Sequence, residues 1–120
     1  MKKTVMIVED EISTRRFLAK SFTRHNYNVV EASNGLDALD EVKKRLPDVI
    51  LLDVNMPKMN GFDFLKAIKN DPATEKVPVI MLTIRKDRKD LDKGLSLGVD
   101  FYLPKPFTFE NVSEFVNLIV

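Results

Sequence analysis

The chain has 120 residues, the length of one domain, and its 44% hydrophobic content supports a packed core rather than disorder. There is no cysteine, which excludes disulfides, thiolate metal sites and cysteine nucleophiles. With 19 basic against 18 acidic residues, overall charge gives no argument for nucleic acid or an anionic membrane as a partner.

The N-terminus, "MKKTVMIVED", has two lysines and an apolar run too short for a signal peptide. No stretch is long enough to cross a membrane, and the absence of cysteine fits a reducing cytoplasm, the expected location. The first strand is expected at Thr4–Val8, short and β-branched. Helical spacing follows, with Thr14, Phe17, Leu18, Ser21 and Phe22 as the inward stripe. His25 ends this helix and reads as a cationic side chain near a helix C-terminus. The second strand is expected at Asn28–Ala32, then a turn at Ser33–Gly35 and a helix with Ala38, Leu39, Val42 and Leu46 inward. "DVILLD" (Asp48–Asp53) is the third strand, and Phe64, Leu65 and Ile68 face inward on the third helix. Gly61 opens that helix where a side chain would crowd its surroundings, and Met56 and Met59 read as packing residues. After the turn Asn70–Thr74, the fourth strand is expected at Val77–Leu82. The fourth helix, about Asp87–Leu97, is weakly marked: it is charged and carries Gly94. Its basic cluster Arg85–Asp90 is interleaved with acids and reads as a solvated face. The fifth strand is expected at Asp100–Leu103, and the fifth helix at about Glu110–Ile119 with Val112, Val116 and Ile119 inward.

Strict strand–helix alternation argues for an α/β fold: a five-stranded parallel sheet, doubly wound, with helices on both faces. In such sheets the crevice lies at the carboxyl ends of the strands. Glu9, Asp10 and Glu11 follow the first strand, Asp53 closes the third, Thr83 follows the fourth and Lys105 the fifth. All are expected on one edge. Asp53 needs an explanation, because an isolated buried charge costs several kcal/mol unless paired or metal-bound. Converging carboxylates share a proton or bind a hard cation, and magnesium suits one or two carboxylates plus a backbone carbonyl. A lysine and a threonine hydroxyl complete a cradle for phosphoryl oxygens. Asp53, fixed by a rigid strand, is the carboxylate best placed to attack as a nucleophile and form an acyl phosphate.

Four motifs carry a resemblance: "VED" (Val8–Asp10), "LLDVNMPKMNG" (Leu51–Gly61), "VIMLT" (Val79–Thr83) and "YLPKPF" (Tyr102–Phe107). Each is weak alone. Their order, with 30 residues from Asp53 to Thr83 and 52 to Lys105, makes the match specific. The chain resembles a receiver domain of the two-component response regulators, similar to the single-domain chemotaxis regulators, over residues 1–120 as one domain. The resemblance implies a flavodoxin-like (βα)5 fold. Asp53 would accept a phosphoryl group from a histidine kinase or a histidine phosphotransfer protein. Asp10, Asp53 and the carbonyl of Asn55 would bind Mg2+, with Glu9 acting through a water. Lys105 would pair with the phosphoryl oxygens, and the Lys105–Pro106 peptide would be cis. Thr83 and Tyr102 would switch together. The implied role is signalling, with magnesium-dependent self-phosphorylation and slow autodephosphorylation as its only chemistry.

The chain departs from the family pattern in three respects. Glu9 stands where Asp is commoner. Ile84 follows Thr83 where a small residue is usual, and is expected to restrict access to the phosphoryl group, with Arg85 beside it. Phe101 and Phe115 stand where an acidic residue and an arginine are common, with Phe109 at the start of the same helix. Two readings of these phenylalanines stay open: they cover the sheet edge, or they make the face of the fourth helix, fifth strand and fifth helix an output surface that docks an effector or a second copy through aromatic contacts. Two other classes stay open. A pseudo-receiver would keep the fold as a binding module without phosphorylation. A haloacid-dehalogenase-like phosphatase would need a second aspartate two residues after the nucleophile, where this chain has Asn55.

Overall fold

The computed structural model describes residues 2–54, 56, 58–83 and 88–120. The described residues form β1 (Thr4–Val8), α1 (Ile12–Arg24), β2 (Asn28–Ala32), α2 (Gly35–Lys44), β3 (Val49–Asp53), α3 (Gly61–Lys69), β4 (Val79–Thr83), α4 (Arg88–Ser96), β5 (Phe101–Pro104) and α5 (Phe109–Ile119). The strands make one parallel sheet in the order β2-β1-β3-β4-β5. The strand order reverses between β1 and β3, and that switch point opens a crevice at their carboxyl ends.

The three central strands, β1, β3 and β4, are buried along their whole length, as a sheet covered on both faces requires. Alternate side chains divide between two cores. Val5, Ile7, Val49, Leu51, Ile80 and Leu82 meet Leu18, Ala19 and Phe22 of α1 and Val112 and Val116 of α5. Met6, Val8, Ile50, Leu52, Val79 and Met81 meet Ala38 and Val42 of α2 and Phe62, Phe64, Leu65 and Ile68 of α3. The expected doubly wound fold is thus what the chain adopts. Met56 and Met59 pack against the second core, as expected.

β1 and β2 have the expected bounds, β3 begins one residue later than expected, and β4 and β5 both begin and end slightly later than their apolar runs suggest. Asp48 and Asp100 each precede a strand and send a carboxylate to a neighbouring strand: Asp48 Oδ2 accepts from Thr4 N–H at 2.7 Å, Asp100 Oδ2 from Val79 N–H at 2.7 Å. Val77 lies outside β4 because its N–H goes to the Thr74 carbonyl and its own carbonyl to Lys69 Nζ. Two side chains expected inward point out. Phe17 is 48% exposed, with Ala19 taking the buried place on α1, and Leu46 is 52% exposed because α2 ends at Lys44 before reaching it. Thr14, Ser21, Leu39 and Ile119 are half-buried.

Two Asn-Gly pairs shape the loops near the crevice. Asn34 and Asn60 cap α2 and α3, each side-chain oxygen accepting a backbone N–H three residues on at 2.9 Å. The glycine after each is needed for space. A methyl group on Gly35 would fall 2.7 Å from the Met59 carbonyl oxygen, and one on Gly61 would overlap the Asp53 carbonyl and lie 2.8 Å from Val54 Cα. The end of β3 and the start of α3 therefore close directly on each other, with Gly61 N–H donating to Val54 O at 2.8 Å. The Lys105–Pro106 peptide is cis, as the resemblance implies. Among the described residues no helix is long and apolar enough to cross a membrane.

Candidate functional site

Strand register gathers the polar residues. Val8 lies beside Leu52, Asp53 beside Leu82 and Thr83 beside Pro104. Glu9 therefore comes level with Asp53, and Lys105 emerges one residue past Thr83. The Lys105 N–H donates to Thr83 O at 2.9 Å, extending the β4–β5 ladder into the crevice.

The Lys105 ammonium is shared between two carboxylates. Its Nζ is 2.7 Å from Glu9 Oε1 and 3.4 Å from Asp53 Oδ1. Both acids are buried, Glu9 with 1% and Asp53 with 7% of its surface exposed, while Asp10 is exposed. Glu9 Oε2 also accepts from Glu11 N–H at 3.3 Å. Arg15 holds the acidic loop from behind: its Nη1 donates to the Glu9 carbonyl at 2.9 Å and its Nε pairs with Glu31 of β2 at 3.2 Å. The Glu11 carboxylate accepts from the Thr14 and Ser13 hydroxyls, which hold its pKa below the usual range.

One ammonium cannot neutralise this cluster. Burial first, then the charge of Glu9 and a hydrogen bond with it, push the Asp53 carboxyl up to about 7 against the opposing pull of Lys105. Burial alone would lower the Lys105 pKa, but hydrogen bonds and charges from Glu9 and Asp53 outweigh it and hold the ammonium above the ordinary lysine value. The site therefore favours an added positive charge, whether a proton or a metal ion. Oxygen atoms of Glu9, Asp10 and Asp53 lie within 4.8 Å of one another, so this cluster could bind a metal ion. Carboxylate oxygens are the hard donors that magnesium takes, so the residues present fit that ion.

A family model for the response regulator receiver domain matches residues 5–117. The chain belongs to the response regulator receiver family. The receiver is 42% identical over 119 residues to the probable transcriptional regulator ycf27 of Guillardia theta, covering 99% of this chain and 46% of that protein. It is 42% identical over 114 residues to histidine kinase P4 of Formosa agariphila, covering 95% of this chain and 8% of that one. The chain thus spans less than half the length of either relative. Among solved structures, the chemotaxis protein CheY4 of Vibrio cholerae superposes with a TM-score of 0.94 at 32% identity, each chain fully covered. Receivers are signalling domains rather than classical enzymes, and response regulators partner with histidine kinases.

In this receiver Glu9, Asp10, Asp53 and Lys105 come together as expected, with Thr83 buried at the adjoining end of β4. Tyr102 is half-buried on β5 and reaches the other way, its hydroxyl donating to the Leu91 carbonyl of α4 at 3.0 Å. Asn55, Ile84 and Arg85 lie outside the described residues. His25 closes α1, with its Nδ1 2.8 Å from Ser21 O and its ring 4.7 Å from that of Phe109. Phe101 and Phe115 are half-buried and lie against each other, ring centroids 5.2 Å apart, covering the β5 edge of the core. The sequence reading did not single out Arg15 among 19 basic residues, and it assigned Phe17 to the core, whereas Phe17 lines a recess of about 500 Å³ with Ser13, Thr14, Lys105, Pro106 and Phe107.

Proposed function

We propose that this chain is a phosphoacceptor receiver in which Asp53 takes a phosphoryl group from a phosphohistidine of a histidine kinase or histidine phosphotransfer protein. The observation that carries the reading is a buried carboxylate, Asp53, within 3.4 Å of the Lys105 ammonium and grouped with Glu9 and Asp10. An Asp53 carboxylate oxygen forms the new bond to phosphorus while the phosphorus–nitrogen bond of the donor breaks; the electron pair leaves with the imidazole, which takes up a proton. Asp10 and Asp53, with the Asn55 carbonyl, would hold Mg2+, and Glu9 would act through a water. Bound there, the ion supplies charge neutralisation for the phosphoryl oxygens. Lys105 would pair with the same oxygens by moving from Glu9 toward Asp53. Thr83 and Tyr102 carry the change to the face built from α4, β5 and α5, which docks an effector or a second copy without binding nucleic acid itself.

The test is incubation with acetyl phosphate and magnesium, followed by intact mass. One stable phosphoryl group, absent from Asp53→Asn, is the expected result. No mass change would overturn the reading in favour of a pseudo-receiver, and continuous phosphate release would mark a hydrolase. For the output face, replacing Phe101 with Asp and Phe115 with Arg should abolish phosphorylation-dependent association. Association unchanged in that variant would remove this face from the reading.

A further inference from the structure

The chain between β3 and α3 is held against the start of α2, and the contact point is Gly35. The Gly35 N–H donates to the Met59 carbonyl at 3.2 Å. Its φ is not in the positive range that sets Gly98 apart, so backbone conformation does not call for glycine there. Closeness does. A methyl group on Gly35 would lie 2.7 Å from Met59 O and 2.8 Å from Met59 Cβ. Both atoms are fixed by the Met59 backbone, so no side-chain rotation relieves the overlap. One element must move against the other, by about 0.7 Å to reach an ordinary contact of 3.4 Å. The start of α2 is the firmer of the two: Asn34 and Gly35 are buried, Asn34 caps the helix, and Ala38 one turn on belongs to the second core. On the loop, Lys58 is exposed and has a φ of 63°, a left-handed conformation that a lysine keeps only where its surroundings impose it.

We infer that Gly35 is a positioning residue: by letting the start of α2 close on Met59, it fixes the path of the loop that follows Asp53, and with it the oxygen donors at the end of β3. The link is short. Two residues after Met59, the Gly61 N–H donates to Val54 O at 2.8 Å, and Gly61 is packed so closely on Asp53 that a methyl group there would overlap the Asp53 carbonyl. A side chain at position 35 pushes Met59 away from α2, and the displacement reaches Val54 and Asp53 through that closure. The consequence for magnesium rests on the reading of Asp53 and Asn55 as donors, whereas the hold on the loop does not. Residues that orient metal ligands without touching the ion typically change affinity by about 10–100-fold when replaced. Gly35→Ala removes no charge and no hydrogen-bonding group, so position is all that it alters.

The experiment compares Gly35→Ala with Asn34→Ala, which removes the cap of α2 but puts no atom against Met59. In metal-free protein, hydrogen exchange of the Gly61 amide reports the closure onto Val54. After correction for global stability, it is expected about tenfold faster in Gly35→Ala and unchanged in Asn34→Ala. Magnesium affinity by titration calorimetry should fall about tenfold in Gly35→Ala and stay within about twofold of wild type in Asn34→Ala. An unchanged Gly61 amide in Gly35→Ala, an unchanged affinity, or the same loss in both variants would overturn the inference. If the Gly61 amide responds but the wild type binds no magnesium, the hold on the loop stands and the reading of the donors fails. Should Gly35→Ala not fold, Met59→Gly loosens the same contact from the loop side: faster exchange of both the Gly35 and Gly61 amides supports the inference, and a change at only one or at neither refutes it.

Discussion

Replacing Asp53 with Asn is expected to stabilise the metal-free protein while removing its phosphoacceptor. The Asp53 carboxyl, ordinarily near 3.8, is pushed up to about 7 by burial and by Glu9. Its pKa is higher folded than unfolded, so between these values the folded state holds a proton that the unfolded state has lost. Stability then falls as pH rises through this window and levels off above it. About three units at about 1.36 kcal/mol each set a ceiling near 4 kcal/mol. Lys105 keeps part of the site solvated, with 22% of its side chain exposed. Screening at the crevice mouth reduces the effect to about 1–3 kcal/mol. Asn keeps the shape and never carries the charge. Urea unfolding with a chelator present should show Asp53→Asn more stable than wild type by that amount at about pH 8, and by roughly a third as much at about pH 5. Magnesium should narrow the gap, since an ion bound only by the folded wild type adds about 1.4 kcal/mol at about ten times its Kd. Equal stabilities at pH 8, or a gap independent of pH, would show that the Asp53 charge is not what strains the site.

Lys105→Ala leaves Glu9 and Asp53 buried without their shared cation; a loss of about 1–3 kcal/mol in urea unfolding and a further rise of the Asp53 pKa, followed by carbon-13 NMR of its carboxyl, are expected. Gly61→Ala drives a methyl group into the Asp53 carbonyl and Val54 Cα, both backbone, and should lower stability by about 2–3 kcal/mol by thermal melting. Arg15→Ala removes the hydrogen bond to the Glu9 carbonyl and the pair with Glu31, costing about 1 kcal/mol. Calorimetric magnesium affinity should fall with it, because the loop carrying Asp10 loses its tie to β2.

Much of the fold was legible because this sheet makes strong demands on sequence. A strand buried on both faces must be continuously apolar, and Val49–Leu52 and Val79–Leu82 have no other good reading. Strand ends were less legible. Asp48 and Asp100 look like strand residues and their N–H groups do bond to Thr4 O and Val79 O, but their carboxylates turn back onto the Thr4 and Val79 N–H groups, and the regular register begins one residue on. Helix faces failed where the stripe was over-extended: Phe17 fits the period of α1 but lies opposite the rim of the crevice rather than the sheet. The acids and Lys105 could be gathered from the rule about strand ends, since register alone brings them together. Arg15 could not, because its bond is to a backbone carbonyl and leaves no pattern of residue types. Gly94 was visible as an oddity in a helix, but the reason lies in a contact from another element, the Tyr102 ring that a methyl group there would meet.

The unequal sharing of Lys105 is the feature that gives the site a direction. At 2.7 Å from Glu9 and 3.4 Å from Asp53, the ammonium stands nearer the acid that follows β1. Any added negative charge on Asp53 competes with Glu9 for it, and the attraction grows as separation shrinks in a partly buried crevice. Lys105 cannot respond alone. Its backbone N–H is bonded to the Thr83 carbonyl, and Pro104, immediately before it, lies level with Thr83 in the β4–β5 ladder. Tyr102, three residues earlier on the same chain segment, has its hydroxyl seated on α4 at Leu91. The end of β3 is thus joined to α4 in the structure by one lysine, one backbone hydrogen bond and one short strand. β5 is an edge strand of the sheet, with its first two residues only half-buried, whereas β1, β3 and β4 are buried on both faces. Among the strands touching the site, it is the one that can shift with the least disturbance of the two cores.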